Sequence, residues 1–225
     1  MKISKETKEI LANFAQINPS IKLSPGSLVM TKSMNNTIYA EAEIEETFPE
    51  EWGIYSLSAF LRVLSLVGDD AEITSDGEAL IIKSPETEVK FHLSDTSVIA
   101  YPAKRPQLPA ADVIFELTNN QLSQVIKAAQ TLQLDTVSIT TKDDKLVLKA
   151  FDSKSKNSNL FSIDICEYTG DNVFDFQISV NSLNFIKSDY IVQIASAGAI
   201  RFESKSDENK HSYILALLST STHDF

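Results

Sequence analysis

The feature that most constrains this chain is an internal repeat: four amphipathic helix signals, each followed by runs of β-type alternation. Over residues 2–17, Ile3, Ile10, Leu11, Phe14 and Ile17 recur at helical spacing, with Ser4 as the predicted N-cap. Over 56–67, Leu57, Phe60, Leu61, Leu64 and Val67 share one side, and Gly68 is the predicted stop. Over 119–132 the stripe is Leu122, Val125, Ile126, Ala129 and Leu132, with Thr118 as the expected N-cap. The fourth signal, over 180–187, is short, and only Val180, Leu183 and Ile186 face together.

Behind the first helix come SLVMTKS and TIYAEAEIE around Met34-Asn35-Asn36. Behind the second come AEITSD, EALIIKS and EVKFHLS, with Ser75-Asp76-Gly77 as the tightest turn signal. TVSITTK, KLVLKAF and NLFSIDI follow the third, separated by Asp143-Asp144 and by residues 153–158. YIVQIAS, AIRFESK and HSYILALLS follow the fourth. The unit is strand–helix–strand–strand–strand, about 55 residues long. Its midpoint is marked by YPAKRPQLPAA, residues 101–111, with three prolines and no periodicity, as in an extended linker. The expectation is an α+β protein of two similar domains, 1–100 and 112–225, each holding two such units and covering antiparallel sheets with two helices.

Charge sharpens this. Lys5, Lys8, Ala12 and Gln16 lie opposite the first apolar stripe; Arg62 stands with Ser58 and Ser65 opposite the second, and Lys127 with Gln124 and Thr131 opposite the third. Lys187 is the exception, falling near Val180 and Leu183. Lys2, Lys5 and Lys8 against Glu6 and Glu9 leave the first helix at +1, and Arg62, Lys127 and Lys187 bring the four to +4. A net charge of −11 then leaves −15 for everything else. The signs are segregated, and the helix faces are the surface suited to loose, sequence-blind contact with phosphates.

Several functions are excluded or disfavoured. The six glycines are never closer than nine residues, so neither G-x-G-x-x-G nor a P-loop is present. His92, His211 and His223 are scattered, without helical spacing to another ligand type, so no metal site or His-dependent nucleophile is expected. Gly68-Asp69-Asp70 reads as a helix stop followed by solvated acids. Glu50-Glu51 and Asp143-Asp144 read as solvated turns, and Cys166, closing NLFSIDIC, as a small buried hydrophobe. One cysteine, no signal-like apolar stretch behind the first lysines and no membrane-length apolar run point to a reducing, cytoplasmic setting. No catalytic constellation and no cofactor are expected.

Five segments carry a family likeness: NFAQIN (13–18), TIYAEA (37–42), FLRVLSLVGDDAEI (60–73), LQLDTVSIT (132–140) and the terminal STHDF (221–225). With them the whole chain closely resembles the DNA polymerase sliding clamps of T-even-type bacteriophages. That resemblance implies the clamp fold and a head-to-tail homotrimeric ring, with twelve helices lining the hole and antiparallel sheets outside. It implies a non-enzymatic processivity factor that encircles double-stranded DNA, tethers the phage DNA polymerase and also activates late transcription in the host bacterial cytoplasm. The implied partners are the polymerase, a clamp-loader ATPase and late-transcription factors. Lys2, Lys5, Lys8, Arg62 and Lys127 become the expected DNA-facing residues, although Ala12 stands where related clamps carry a lysine. Tyr39, Leu108, Pro109, His223, Asp224 and Phe225 become the expected pocket for partner peptides. The rival of a different class is a ring-forming virion protein, such as a tail-tube or baseplate subunit.

Overall fold

Ser4 starts the first helix as its sequence implies: its hydroxyl accepts from the Thr7 amide at 3.2 Å, and the helix α1 runs Lys5–Ile17. Thr7, Ile10, Leu11 and Phe14 are buried along one face. Each full burial of a large apolar side chain contributes about 1.5–3 kcal/mol. The computed structural model describes residues 1–155, 157, 159–207 and 210–225, so Lys156 and Ser158 of the expected 153–158 turn lie outside the described residues. Contacts divide the chain into two units: residues 1–105 with 207–212, and 106–206 with 213–225.

In the first unit α1 is followed by β1 (Ile21–Leu23), β2 (Gly26–Lys32), β3 (Ile38–Phe48) and β4 (Trp52–Ile54). The helix α2 (Leu57–Val67) then leads into β5 (Glu72–Ser75), β6 (Ala79–Lys83) and β7 (Glu88–His92). All pairing is antiparallel: β1 with β4, β2 with β3, and β5-β6-β7 in chain order. The helix α2 ends at Gly68, whose φ of +106° is a conformation L side chains rarely adopt. The two helices pack on each other, α1 also against β3 and α2 against β6 and β7. Phe60 of α2 is fully buried and meets Phe91 of β7 edge-on at 5.4 Å.

In the second unit β8 (Val113–Leu117) precedes α3 (Asn119–Leu132), β9 (Thr136–Lys142), β10 (Lys145–Phe151) and β11 (Leu160–Glu167). Then come β12 (Phe174–Ser179), β13 (Tyr190–Ala195), β14 (Ala199–Ser204), β15 (His211–Ala216, its first two residues counted with the first unit) and β16 (Thr222–His223). One sheet runs β11-β10-β9-β12-β16, and β8, β13, β14 and β15 are consecutive neighbours in another. Thr118 and Gln121 form a reciprocal capping box at the start of α3. Asp143 and Asp144, both at positive φ, make the two-residue turn joining β9 to β10.

Two expectations fail here. The fourth helix is absent: Val180–Ser182 is a single 3-10 turn and residues 183–189 carry no regular structure. Asn181, Ser182, Asn184 and Ser188 are weak helix formers, and Ser179 makes no side-chain cap. The backbone of Ile186 is satisfied by phenols instead of by a helical ladder: its amide donates to Tyr213 Oη at 3.1 Å, and its carbonyl accepts from Tyr190. Phe185 stacks on Tyr213 at 4.2 Å, which fixes that irregular path. Cys166, expected inside, is exposed, because β11 is the edge of its sheet and the register slips at Leu146/Val147 just opposite.

Candidate functional site

Burying one stripe of each helix leaves the other face to solvent. On α1 that face carries Lys5, Ala12 and Gln16, all exposed, while Lys8 is half-buried. On α2 it carries Arg62 between the exposed Ser58 and Ser65. Lys2, just before α1, is exposed. Among the described residues Lys5 and Arg62 make no ion pair, but the other two do: Lys8 Nζ lies 2.8 Å from Asp69 and Lys2 Nζ 3.5 Å from Asp70. The turn after α2 therefore meets the start of α1. The acids read as merely solvated are ion-paired, though still open to water.

The N-terminus of α1 is built by a carboxylate as well as by Ser4. Glu46 of β3 accepts from the Ser4 amide and, at 2.5 Å, from the Thr7 hydroxyl. Burial pushes the Glu46 carboxyl up, but these hydrogen bonds outweigh it and hold it below the usual carboxylate range.

In the second unit Lys127 is exposed on α3 beside Gln124 and Thr131 and makes no ion pair among the described residues. It lines a groove of about 440 Å³ between α3 and the irregular 180–187 segment, together with Ile126, Gln130, Phe185 and Lys187. Lys187, set apart by its helical position, is exposed at that groove, because the segment is not a helix. No periodicity argument could have found it.

The expected peptide-pocket residues are placed as follows. In the first unit Tyr39 is buried and its phenol donates to Glu41 at 2.6 Å. Glu41 is only 6% exposed, is held by Arg105 through both oxygens at 2.5 and 2.7 Å, and accepts from Ser212. Burial raises the Glu41 carboxyl, and the Arg105 and Tyr39 hydrogen bonds bring it below its ordinary value. Burial and that carboxylate push the Tyr39 phenol strongly up. This network was not visible in the sequence, since Arg105 stands 64 residues from Glu41.

In the second unit Leu108 is half-buried and Pro109 exposed, within a stretch without regular structure. His223, Asp224 and Phe225 are brought together on β12. His223 pairs with Phe174 in the β12–β16 ladder and stacks on Phe176 at 5.8 Å. The Asp224 carboxylate accepts from the Val173 amide at 2.9 Å. Phe225 stacks on Phe176 at 6.1 Å and lies 5.7 Å from Phe174, yet stays 41% exposed. The result is an ordered aromatic ledge with one open side.

Two family models match the chain, one described as DNA polymerase processivity factor over residues 4–101 and one as gp45 sliding clamp, C terminal, over residues 114–218. The chain is 38% identical over 231 residues to the sliding clamp of Escherichia phage RB69 and 35% identical over 233 residues to that of Enterobacteria phage T4, each match covering 100% of both chains. Among solved structures, the proliferating cell nuclear antigen of Thermococcus kodakaraensis matches with a TM-score of 0.71 at 15% identity, over 96% of this chain and 98% of that one. At that identity the likeness is one of fold.

Proposed function

Because the chain belongs to the sliding-clamp family of bacteriophage DNA polymerase processivity factors, we propose that it acts as a homotrimeric ring around duplex DNA, with α1, α2 and α3 turned toward the DNA. Its function is to keep a phage DNA polymerase on its template. The observation that carries the DNA-facing assignment is that all three helices, in a chain of net charge −11, present exposed cations that make no ion pair among the described residues: Lys5, Arg62 and Lys127. Lys2 and Lys8 join them at the start of α1.

The physical logic is topological. A closed ring cannot leave a long duplex sideways, so the hold does not require strong contacts, and weak phosphate contacts without base readout permit sliding. An acidic exterior keeps DNA away from unproductive faces. With three helices per chain among the described residues, a trimer presents nine to the DNA rather than the twelve expected from four. The clamp is a scaffold, and ATP hydrolysis for loading falls to a separate ATPase. Leu108, Pro109, His223, Asp224 and Phe225 in the second unit, and Tyr39 in the first, are the residues we assign to partner peptides from the polymerase, the loader and late-transcription factors. The setting is the cytoplasm of the infected host.

Light scattering across a concentration series tests the ring: the expected mass is three times the chain's 24.9 kDa. A monomer at every concentration overturns the ring, and open-ended assembly favours a virion component instead. Lys5→Glu combined with Lys127→Glu should weaken clamp-dependent DNA synthesis at moderate salt while leaving the trimer intact. Unchanged synthesis would remove these residues from the lining.

A further inference from the structure

We propose that Asp69 and Asp70 are a built-in brake on DNA contact, holding Lys8 and Lys2 so that these cations grip a passing phosphate less tightly than their position allows. The proposal rests on the assignment of α1 to the DNA-facing surface and adds to it what sets the strength of that contact.

Two helix ends meet here. Lys2, Lys5 and Lys8 crowd the N-terminus of α1, the end where the helix dipole places partial positive charge. Asp69 and Asp70 follow Gly68 at the C-terminus of α2, the end that carries partial negative charge. Each set of side chains stands where its own helix disfavours it. Bringing the two ends together offsets both costs, and the chain path enforces it, since the Ile73 amide donates to the Met1 carbonyl at 2.7 Å.

The pairs are unequal and open to exchange. Lys8 is 19% exposed while Asp69 is fully exposed, so the lysine stem is packed and the carboxylate stands free in water. The Lys8 ammonium, with Lys5 adding to it, holds the Asp69 carboxyl below its ordinary value. A phosphate approaching α1 meets an ammonium already occupied by an anion. To bind it must take Lys8 from Asp69, and it then faces an uncompensated carboxylate. Lys5 makes no ion pair among the described residues and is the cation left to meet a phosphate directly.

The brake and a purely structural ion pair predict different results. Because both carboxylates stand fully or almost fully in water, Asp69→Asn with Asp70→Asn should leave the thermal midpoint nearly unchanged. Binding of the full-length protein to a labelled linear duplex, followed by fluorescence anisotropy, should tighten about five-fold at low salt. The slope of log K against log salt should steepen by about 1 to 2, since each phosphate-facing charge contributes about 0.9. Lys8→Ala should cost more affinity in the Asp69→Asn background than in the unaltered protein. If the aspartate variants bind no tighter while Lys8→Ala still weakens binding, the brake is overturned and the DNA-facing assignment stands. If Lys5→Ala and Lys8→Ala both leave binding unchanged, that assignment fails and the brake with it.

Discussion

The two units answer the same repeat pattern differently. In the first, both helix signals become helices, α1 and α2, and their basic end is balanced by Asp69 and Asp70. In the second, only α3 forms, and Lys127 and Lys187 line a groove without ion pairs among the described residues. A helix is stabilised chiefly by burying a continuous apolar stripe. In α2, Leu57, Phe60, Leu64 and Val67 supply one over the whole length. In 180–187 only Leu183 is buried, and the phenols of Tyr190 and Tyr213 give the Ile186 backbone a non-helical alternative.

The largest test of that contrast is truncation of one ring in each region. Phe60→Ala empties a fully buried site against Phe91 and should cost about 3–5 kcal/mol by chemical denaturation. Phe185→Ala removes a half-buried ring stacked on Tyr213, where solvent can fill the space, and should cost about 1–2 kcal/mol. Equal losses would mean that the irregular segment is as tightly packed as α2.

Acid probes the hydrogen-bonded glutamates of the first unit next. Glu41 and Glu46 both belong to the first unit, and both are held below their ordinary values in the fold. A depressed carboxylate stabilises the fold above its unfolded value of about 4.3, and that contribution is lost as pH falls through the folded value. The first unit should therefore lose stability below about pH 4. Glu41→Gln should remove about 1–2 kcal/mol at neutral pH, discounted because Arg105 is half exposed, and flatten the acid limb of the stability–pH curve. An unaltered curve would show that the Glu41–Arg105–Tyr39 network does not set the acid response.

How much of this was legible depends on the range of the interaction. Three helices follow from periodicity, and the starts at Ser4 and Thr118 from local hydrogen bonding, so sequence neighbours suffice to read them. The β9–β10 hairpin is equally local, with Asp143-Asp144 accepting positive φ. What failed is non-local. The path of 180–187 is fixed in part by a phenol 27 residues away, and Arg105 by a carboxylate 64 residues away. Lys187 became a candidate only because its helix did not form, and the Lys8–Asp69 pair spans 61 residues between two helix ends. At the C-terminus the reverse holds: resemblance alone singles out STHDF, and β12 supplies the ledge of Phe174 and Phe176 on which Phe225 rests.

That ledge has no aromatic counterpart in the first unit's placement of Tyr39, whose phenol is committed to Glu41. Deleting Thr222 to Phe225 should weaken binding of a polymerase-tail peptide at least about ten-fold, near 1.4 kcal/mol, measured by calorimetry. Tyr39→Phe should alter it less. An undiminished affinity after the deletion would take His223, Asp224 and Phe225 out of the peptide site.

The finest distinction is between the helix starts. Thr118 both accepts from the Gln121 amide at 3.2 Å and has its own amide bound by the Gln121 side chain at 3.0 Å, so two otherwise unpaired donors are satisfied. Ser56 occupies the same position before α2 but makes no side-chain cap. Thr118→Ala should thus cost about 1 kcal/mol, whereas Ser56→Ala should change stability by less than about 0.3 kcal/mol. The helix α2 withstands a missing cap because Leu57, its first residue, is fully buried and its amide donates to the Pro19 carbonyl at 2.8 Å. A loss at Ser56 equal to that at Thr118 would mean that α2 depends on Ser56, as α3 does on Thr118, and not on that tertiary bond.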